Sequence, residues 1–270
     1  MHDIEQLKNA DDPRLKSYRN QRWNRQPDTK TRDFIVEGRY CVERLLQSDY
    51  DVQSVLVTEG KSLEALKHHT KVMPVYSLSS AEIRKLVGFD FHRGIMACAK
   101  RRAFKSMTTF EQEIIRPEIS IALLGLRERE NVGSIMRTAA ALGVERILLG
   151  PHTADPFARR TIRVSMGTVF RLKLYDLSDP VTQLPNLVAR HDLRTIVTTL
   201  AQHATPLHDY RLTGQSGILI AGSEAEGVAE EIQQAATDRV IIPMSLGTNS
   251  LNVAVATAIC LHELRNQLDF

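Results

Sequence analysis

The sequence has few of the features that mark extracellular or membrane proteins. Its 270 residues include only three cysteines, Cys41, Cys98 and Cys260, which lie far apart and form no Cys-x-x-Cys pair. Such spacing indicates neither a disulfide framework nor a zinc site, so we expect buried, reduced thiols and no bound metal. The longest nearly apolar stretch, residues 251–261, contains two polar residues and is too short to span a bilayer.

The first residues also lack the apolar core of a secretion signal, because Asp3 and Glu5 come within the first five positions. We therefore expect a cytoplasmic protein with no membrane span. The composition, 43% hydrophobic and 25% charged, is that of an ordinary folded chain. Its length favours two compact units over one.

Positive charge is concentrated in two segments, although the net charge of the chain is only +3. Residues 14–32 hold seven Lys/Arg against one acid, and residues 84–105 also hold seven against one, so each segment carries +6. Clustered cations gain from releasing the counterions around phosphates, which points to a polyanionic partner. The rings of Tyr18 and Trp23 in the first segment would stack on unpaired bases, which favours RNA.

A third basic run lies near residue 160, where a solvated helix face is an equal alternative to an RNA track. A solvated tail is likewise an equal alternative for residues 14–32. The candidate RNA-binding residues are Arg14, Arg19, Arg22, Trp23, Arg101, Arg102, Arg159 and Arg160.

Hydrophobic periodicity predicts an α/β protein with a smaller N-terminal domain and a larger C-terminal domain. Strands are predicted in the larger domain at residues 119–126, 146–149, 170–175, 194–199, 217–221 and 239–243. Helices are predicted between most of these strands, including 132–142 and a last helix at about 251–267. The predicted divisions are a basic arm (1–32), a small α/β domain (33–105), a linker or inter-domain helix (106–118) and a larger α/β domain (119–270).

The first candidate motif follows the first buried strand, at the sheet edge where open α/β proteins bind ligands. Asn131 is predicted to cap the next helix. Gly133 and Arg137 are four residues apart and share a helix face, so the Arg137 side chain extends over a glycine and leaves room for a phosphate or ribose. Taken alone, Asn-x-Gly is better explained as a simple turn.

Two further motifs follow later strands. In the second, Gly222 and Gly227 flank two acids, which would repel a pyrophosphate and suit a ligand with hydroxyls or positive charge. Glu224 is as well explained as a helix cap. In the third, Ser250 is predicted to cap the last helix, and Asn252 lies inside an apolar helical run, where an unpaired amide would cost about 1–3 kcal/mol.

Together and in this order, the motifs resemble the signature of the SpoU/TrmH-type RNA 2′-O-ribose methyltransferases of the SPOUT class. The matching positions are Asn131, Gly133, Arg137, Gly222, Glu224, Gly227, Ile242, Pro243, Met244, Ser250, Leu251 and Asn252. The resemblance implies that residues 119–270 form the methyltransferase domain. The region that begins Val36-Glu37-Gly38 is similar, more loosely, to the small ribosomal-protein-like domain often attached to this family, which implies an RNA substrate-binding domain at residues 33–105. The sequence departs from the family pattern at Leu246, Asn249 and Ala254, where the family often has glycine, an acid and serine.

This resemblance implies a C-terminal trefoil knot, a bent S-adenosylmethionine bound in the knot, and a homodimer that places residues of both subunits around each cofactor. It indicates as cofactor-binding residues Ala221, Gly222, Gly227, Ile242, Met244 and Leu251. It indicates as catalytic residues Asn131, Arg137, Glu224, Ser250 and Asn252.

Methyl transfer to a ribose requires a hydroxyl held in line with the methyl group. The resemblance assigns Arg137 to the 2′-hydroxyl. Because arginine stays charged, we interpret its role as binding the adjacent phosphate and stabilising developing negative charge, with Asn131, Ser250 and Asn252 orienting the ribose and the arginine.

The sequence therefore predicts S-adenosylmethionine-dependent 2′-O-methylation of structured RNA, with ribosomal RNA preferred and transfer RNA as the alternative. A non-catalytic RNA-binding assembly factor with the same fold is the main rival, and the intact motif residues argue against it. A nucleotide-dependent dehydrogenase is disfavoured, because no Gly-x-Gly-x-x-Gly follows the first buried strand.

Overall fold

A computed structural model describes residues 4–19, 33–61, 64–67, 72–114, 117–201, 203–212, 216–223, 225–248 and 250–268. The chain divides into two compact units. The first comprises residues up to Ala103 together with Asp155–Phe170, and the second comprises Phe104–Ala154 and Arg171 onward.

The described strands and helices alternate along most of the chain. The strands are β1 Ile4–Gln6, β2 Asp33–Glu37, β3 Val52–Thr58, β4 Val75–Leu78, β5 Ile95–Lys100, β6 Ile119–Leu123, β7 Arg146–Leu149, β8 Lys173–Asp176, β9 Leu193–Thr198, β10 Thr205–Pro206, β11 Ser216–Ala221 and β12 Asp238–Ile241. The α-helices are α1 Arg39–Leu46, α2 Ser80–Val87, α3 Met107–Gln112, α4 Arg129–Ala141, α5 Arg159–Val164, α6 Pro180–His191, α7 Glu230–Ala235 and α8 Val253–Asn266.

The first unit is built on a mixed sheet with the strand order β1-β4-β3-β5-β2. Strand β4 pairs in parallel with β1 and β3, whereas β5 pairs antiparallel with β3 and β2. Helix α2 is capped at both ends, because the Ser79 hydroxyl accepts from the Glu82 amide at 3.3 Å and Gly88 takes a left-handed φ of +79°.

Part of the predicted basic arm belongs to the core of this unit. Strand β1 extends the sheet, and a short 3-10 helix, Pro13–Tyr18, buries Leu15 and Tyr18 completely. The Tyr18 hydroxyl donates to the Ser54 carbonyl at 3.0 Å. The prediction that Tyr18 stacks on RNA bases is therefore wrong, since its ring packs among apolar side chains.

The second unit carries a sheet with the strand order β10-β12-β9-β11-β6-β7-β8, in which every recorded pairing is parallel. Strands β6 and β11 are buried along their whole length, as expected for central strands covered on both faces. Each strand predicted for residues 119–270 is present, to within three residues at either end. The α/β class with parallel strands is confirmed.

The two units depart from the predicted divisions in two places. The predicted linker contains α3, which belongs to the second unit and buries Met107 and Phe110 in its core. Residues 155–170 belong to the first unit, where Phe157 and Phe170 stack around Phe34 with ring centroids 5.0 and 5.8 Å away. Aromatic packing of this kind leaves no clear trace in helical or strand periodicity.

The three cysteines are unpaired and buried, as predicted. Burial raises the pKa of the Cys98 and Cys260 thiols to about 12. Among the described helices, none is long and apolar enough to cross a membrane.

Candidate functional site

A cavity of about 770 Å³ opens at the carboxyl edge of the parallel sheet in the second unit. Its walls come from the segments that follow β6, β9, β11 and β12 and from the start of α8. In the sheet order, β6 and β11 are neighbours. After β6 the chain adds β7 and β8 on one side of β6, and it then forms β9 on the other side. Ligands of open α/β proteins bind at such a reversal point, and the volume lies within the range of small-molecule sites.

The first and third motifs meet in this cavity through a pair of asparagine side chains. Nδ2 of Asn252 donates to Oδ1 of Asn131 at 2.9 Å, although the two residues lie 121 positions apart. Nδ2 of Asn131 in turn donates to Oε2 of Glu128 at 3.1 Å. The result is a directional chain of hydrogen bonds that ends on a carboxylate, which accepts but cannot donate.

This geometry corrects both predicted helix caps. Helix α4 begins at Arg129 with Glu128 at the N-cap position, so Asn131 lies in the first turn of the helix and is not its cap. Asn252 caps α8, because its Oδ1 accepts from the backbone amides of Ala254 and Val255 at 2.9 and 3.3 Å. Ser250 precedes that cap. Asn252 is therefore an exposed capping residue and not a buried amide within the helix.

The second motif forms a tight loop against the cavity. Ser223 and Gly227 exchange two backbone hydrogen bonds of 2.9 Å each, which brings the chain back onto itself. A Cβ atom at Gly222 would lie only 2.4 Å from the carbonyl carbon of Gly227. Only glycine fits at position 222, and Gly227 takes a left-handed φ of +70°. Glu224, a predicted catalytic residue, lies outside the described residues.

Most of the predicted cofactor-binding residues line the cavity, namely Gly222, Gly227, Ile242, Met244 and Leu251. Ala221, in contrast, is buried at the end of β11 and does not contribute to the wall. Nearby, Leu246 has a left-handed φ of +57° and an almost fully exposed side chain. This conformation explains why the family often has glycine at that position.

Arg137 stands apart from the other predicted catalytic residues. Asn131, Ser250 and Asn252 all line the cavity, whereas Arg137 is exposed on α4 and does not line it. Six residues along a helix separate Arg137 from Asn131, so the two side chains leave the helix in different directions. Within one chain, the cavity wall therefore brings together Asn131, Ser250 and Asn252 but does not include Arg137.

Several cavity residues were not predicted from the sequence. Strand β9, which pairs with β11, ends at Thr198, and Thr199 and Leu200 follow it. Gln233 lies on α7. The carboxyl ends of neighbouring parallel strands share one edge, so the end of β9 could have been proposed once its position beside β11 was known. That position depends on strand order, which the sequence pattern does not give.

The predicted RNA-binding residues that the structure describes belong to the first unit and are largely engaged in ion pairs. Arg14 donates to Glu5 and Asp12. Arg101 forms a bidentate salt bridge with Asp155, with hydrogen bonds of 2.9 and 2.6 Å. Further positions are Arg19 near Asp11, Arg102 over the Tyr50 ring, Arg159 beside Glu37 and Arg160 on the exposed side of α5. Arg22 and Trp23 lie outside the described residues.

Comparison with known sequences identifies a family profile over the second half of the chain. The profile described as the SpoU rRNA Methylase family matches residues 118–262. An uncharacterized tRNA/rRNA methyltransferase of Mycobacterium tuberculosis is 31% identical over 268 residues, which cover 97% of this chain and 91% of the relative. The 23S rRNA (guanosine(2553)-2′-O)-methyltransferase of Bacillus subtilis is 25% identical and covers 97% of this chain and 100% of its own length.

Comparison with solved structures extends this likeness to both units. An AdoMet-bound rRNA methyltransferase from Sinorhizobium meliloti superposes with a TM-score of 0.82 at 24% identity, covering 99% of each chain. At this identity the likeness shows the fold.

Proposed function

Because the chain belongs to the SpoU rRNA Methylase family, we propose that it transfers a methyl group from S-adenosylmethionine to a ribose 2′-hydroxyl of structured RNA, with ribosomal RNA as the preferred substrate. The observation that carries the proposal is the hydrogen bond between Asn131 and Asn252, which joins two separate motifs at the mouth of one cavity. The Bacillus subtilis relative, which acts on 23S rRNA, supports the choice of substrate.

The cavity suits S-adenosylmethionine by its shape and charge. Glu128 and Glu226 line it, and carboxylates favour a ligand with ribose hydroxyls and a positive sulfonium over one with a pyrophosphate. Gly222 and Gly227 let the loop close tightly on itself at the cavity wall, because a Cβ atom at Gly222 would meet the Gly227 backbone. The cofactor supplies an electrophilic methyl group, and the Sinorhizobium meliloti neighbour was solved with this molecule bound.

Side chains at the cavity wall would hold the ribose in position for methyl transfer. The amides of Asn131 and Asn252 are held in fixed orientations, and Ser250 stands beside them at the cavity wall. We assign these three groups to positioning the ribose, and Arg137 to binding the neighbouring phosphate and stabilising charge on the attacking oxygen.

This role for Arg137 requires a second copy of the chain, because Arg137 does not line the cavity of its own chain. Leu251, Val255 and Ile259 recur at intervals of four and remain 39 to 49% exposed, which forms an apolar stripe that continues from the cavity wall along α8. We propose that this stripe is the interface of a homodimer in which each subunit supplies Arg137 to the site of its partner.

The family fold further implies a trefoil knot in the second unit, and we propose one here. In support, β11 lies between β6 and β9, and β12 on the far side of β9, so consecutive strands near the C-terminus do not occupy consecutive places in the sheet. Helix α8 then packs back against α4.

The direct test is incubation of the full chain with methyl-labelled S-adenosylmethionine and unmodified ribosomal RNA or transfer RNA, followed by nucleoside analysis. We expect a 2′-O-methylated nucleoside from ribosomal RNA. We also expect its loss in Arg137→Ala, by a factor of about 100 or more, since arginine contacts to developing charge are worth about 3 kcal/mol. The matched control is Arg190→Ala on α6, whose side chain is exposed, pairs with Glu111 and does not line the cavity.

Three other outcomes would each support a different alternative to the proposed function. Incorporation into transfer RNA alone would replace the preferred substrate and keep the reaction. Absence of S-adenosylmethionine binding by calorimetry, with RNA binding intact, would favour a non-catalytic assembly factor. Full activity of Arg137→Ala would exclude Arg137 from the chemical step.

A further inference from the structure

A buried carboxylate in the first unit is surrounded by three arginines. Glu37, the last residue of β2, is only 3% exposed. Nη1 of Arg163 donates to Glu37 at 3.0 Å, and Nε of Arg159 and Nε of Arg93 lie 3.6 and 4.0 Å from its two oxygens. One carboxylate balances only one of the three guanidinium charges. The cluster of Arg93, Arg159 and Arg163 around Glu37, called here the arginine cluster, therefore carries excess positive charge.

The surroundings of Arg159 show the same shortage of negative charge. Its guanidinium carbon lies 4.3 Å from the centre of the Phe89 ring, and its Nη1 is buried without a hydrogen-bond partner among the described residues. Burial lowers the pKa of Arg159, Glu37 opposes this shift, and the positive charge of Arg163 adds to it. An anion beside this cluster would stabilise it.

The start of α1 lies against the same cluster. Gly38, with a φ of +89°, occupies the N-cap position, where it offers no side chain to the free amides of the first turn. A Cβ atom at Gly38 would lie 3.2 Å from Nη1 and 3.3 Å from Cδ of Arg93, so glycine allows the Arg93 side chain to cross the helix start. The positive end of the helix dipole thus adds to the arginine charges. Tyr40, two residues further, is 58% exposed.

We propose that the arginine cluster and the start of α1 bind a phosphate group of the RNA backbone. The Tyr40 ring, which carries the Arg39 guanidinium 5.8 Å from its centre, would stack a neighbouring base on its other face. Arginine forks match phosphate oxygens, and aromatic rings stack on unpaired bases whatever their identity. Glu37 is the positioning residue, which holds the arginines in place from beneath. The inference rests on the proposed function for the identity of the partner, but it concerns a site separate from the catalytic cavity.

The test measures RNA binding and its dependence on salt, using polyuridylate and an unmodified 23S rRNA transcript with the full chain. Arg93 is the variant of choice, because its side chain is 51% exposed and its removal leaves Glu37 paired with Arg163. We expect Arg93→Ala to weaken binding by about threefold to tenfold, and to reduce the slope of log Kd against log salt by about 0.7–0.9 between about 50 and 300 mM salt. Arg93→Lys should retain the slope.

The matched control is Arg84→Ala, an exposed arginine of the same unit that pairs with Asp90 at 2.6 Å and should bind RNA as the parent chain does. At saturating RNA, Arg93→Ala should keep the parent kcat and raise only the KM for RNA. Unchanged affinity and slope in both Arg93→Ala and Arg159→Ala would overturn the proposal. So would a chain that binds polyglutamate and not polyuridylate, since the partner would then be an acidic protein.

The two proposals fail separately. A chain that transfers no methyl group but loses RNA affinity in Arg93→Ala would contradict the proposed reaction and leave the arginine cluster as an RNA site. A chain that methylates RNA with the parent KM in Arg93→Ala would contradict the arginine cluster and leave the reaction intact.

Discussion

Glu128 is a single side chain that determines how two amides face the candidate site. Its carboxylate accepts from Nδ2 of Asn131, which leaves Oδ1 of Asn131 to accept from Asn252. The oxygen of Asn252 is already committed to the amides at the start of α8. Each asparagine therefore presents one fixed orientation, although an isolated amide has two nearly equal ones.

We predict that Glu128→Ala lowers kcat by about threefold to tenfold, because an exposed hydrogen bond to a carboxylate contributes about 1 kcal/mol to holding Asn131. Glu128→Gln should recover most of this loss, since its oxygen can still accept. The measurement is steady-state methylation at saturating RNA and cofactor, together with a thermal unfolding curve.

The control for this prediction is Glu130→Ala, which removes a neighbouring exposed acid of α4 that does not line the cavity. An unchanged kcat in Glu128→Ala would show that Asn131 keeps its orientation without the carboxylate. A lower kcat with an equally lower unfolding temperature would indicate a structural role.

At the scale of the elements, one ion pair joins the start of β9 to the start of β12, at the ends of these strands that are remote from the cavity. Nε of Arg194 donates to Asp238 at 2.6 Å, and the hydroxyls of Tyr210 and Thr237 each donate to the same carboxylate at 3.0 Å. Burial acts to raise the pKa of Asp238, but the hydrogen bonds from Arg194 and Thr237 outweigh it and hold the pKa below its ordinary value. The two strands whose ends line the cavity are thereby fixed in register.

We predict that Asp238→Asn lowers the free energy of unfolding by about 1–2 kcal/mol at pH 7, since the hydrogen bonds lose their charged partner and the 38% exposure of Arg194 weakens the ion pair. Because the folded pKa of Asp238 is depressed, its stabilisation is present above about pH 4 and is lost as the pH falls. Urea unfolding at pH 7, 5 and 3.5 should show the two chains converging at low pH. Asp209→Asn, at an exposed site, should match the parent throughout.

The elements also show what sequence patterns can and cannot predict. Largely apolar runs such as 119–123 and 216–221 predict the central strands, because burial on both faces favours a mostly hydrophobic sequence. The ends of those strands then place two motifs at one edge. The caps of α4 and α8 were predicted at Asn131 and Ser250, but the caps are Glu128 and Asn252, and the hydrogen bond between Asn131 and Asn252, which lie 121 positions apart, was not predicted. A contact between residues so far apart in the chain cannot be predicted from local sequence patterns.

Residues 155–170 show the same limit at a larger scale. The basic run that includes Arg159 was predicted within the methyltransferase domain (119–270), yet these residues pack in the first unit around Phe34 and Glu37. A buried carboxylate and aromatic rings hold these residues in the first unit. Such contacts produce no helical or strand periodicity in the sequence. The basic segments that hold Arg93, Arg159 and Arg163 were recognised from the sequence, but their meeting around Glu37 was not predicted.

For the whole molecule, the proposed exchange of Arg137 between subunits has a consequence that no single chain can show. A Cβ atom at Gly222 would collide with the Gly227 backbone, so Gly222→Ala should disable the cofactor cavity of the chain that carries it. Arg137→Ala leaves that cavity intact and removes the arginine. If each subunit supplies Arg137 to its partner, a mixed dimer of the two variants has one site with both defects and one site with neither.

We therefore predict that equimolar mixing of the two inactive variants, with time for subunit exchange, restores about one quarter of the parent activity, because half of the dimers are mixed and each has one sound site. If Arg137 serves its own chain, every site in a mixed dimer retains one defect and no activity returns. Placing Val255→Glu in both variants puts a charge in the apolar stripe, and should yield monomers in sedimentation and abolish the recovery. Dimers that persist in sedimentation together with the recovery, despite Val255→Glu, would show that the α8 stripe is not the interface.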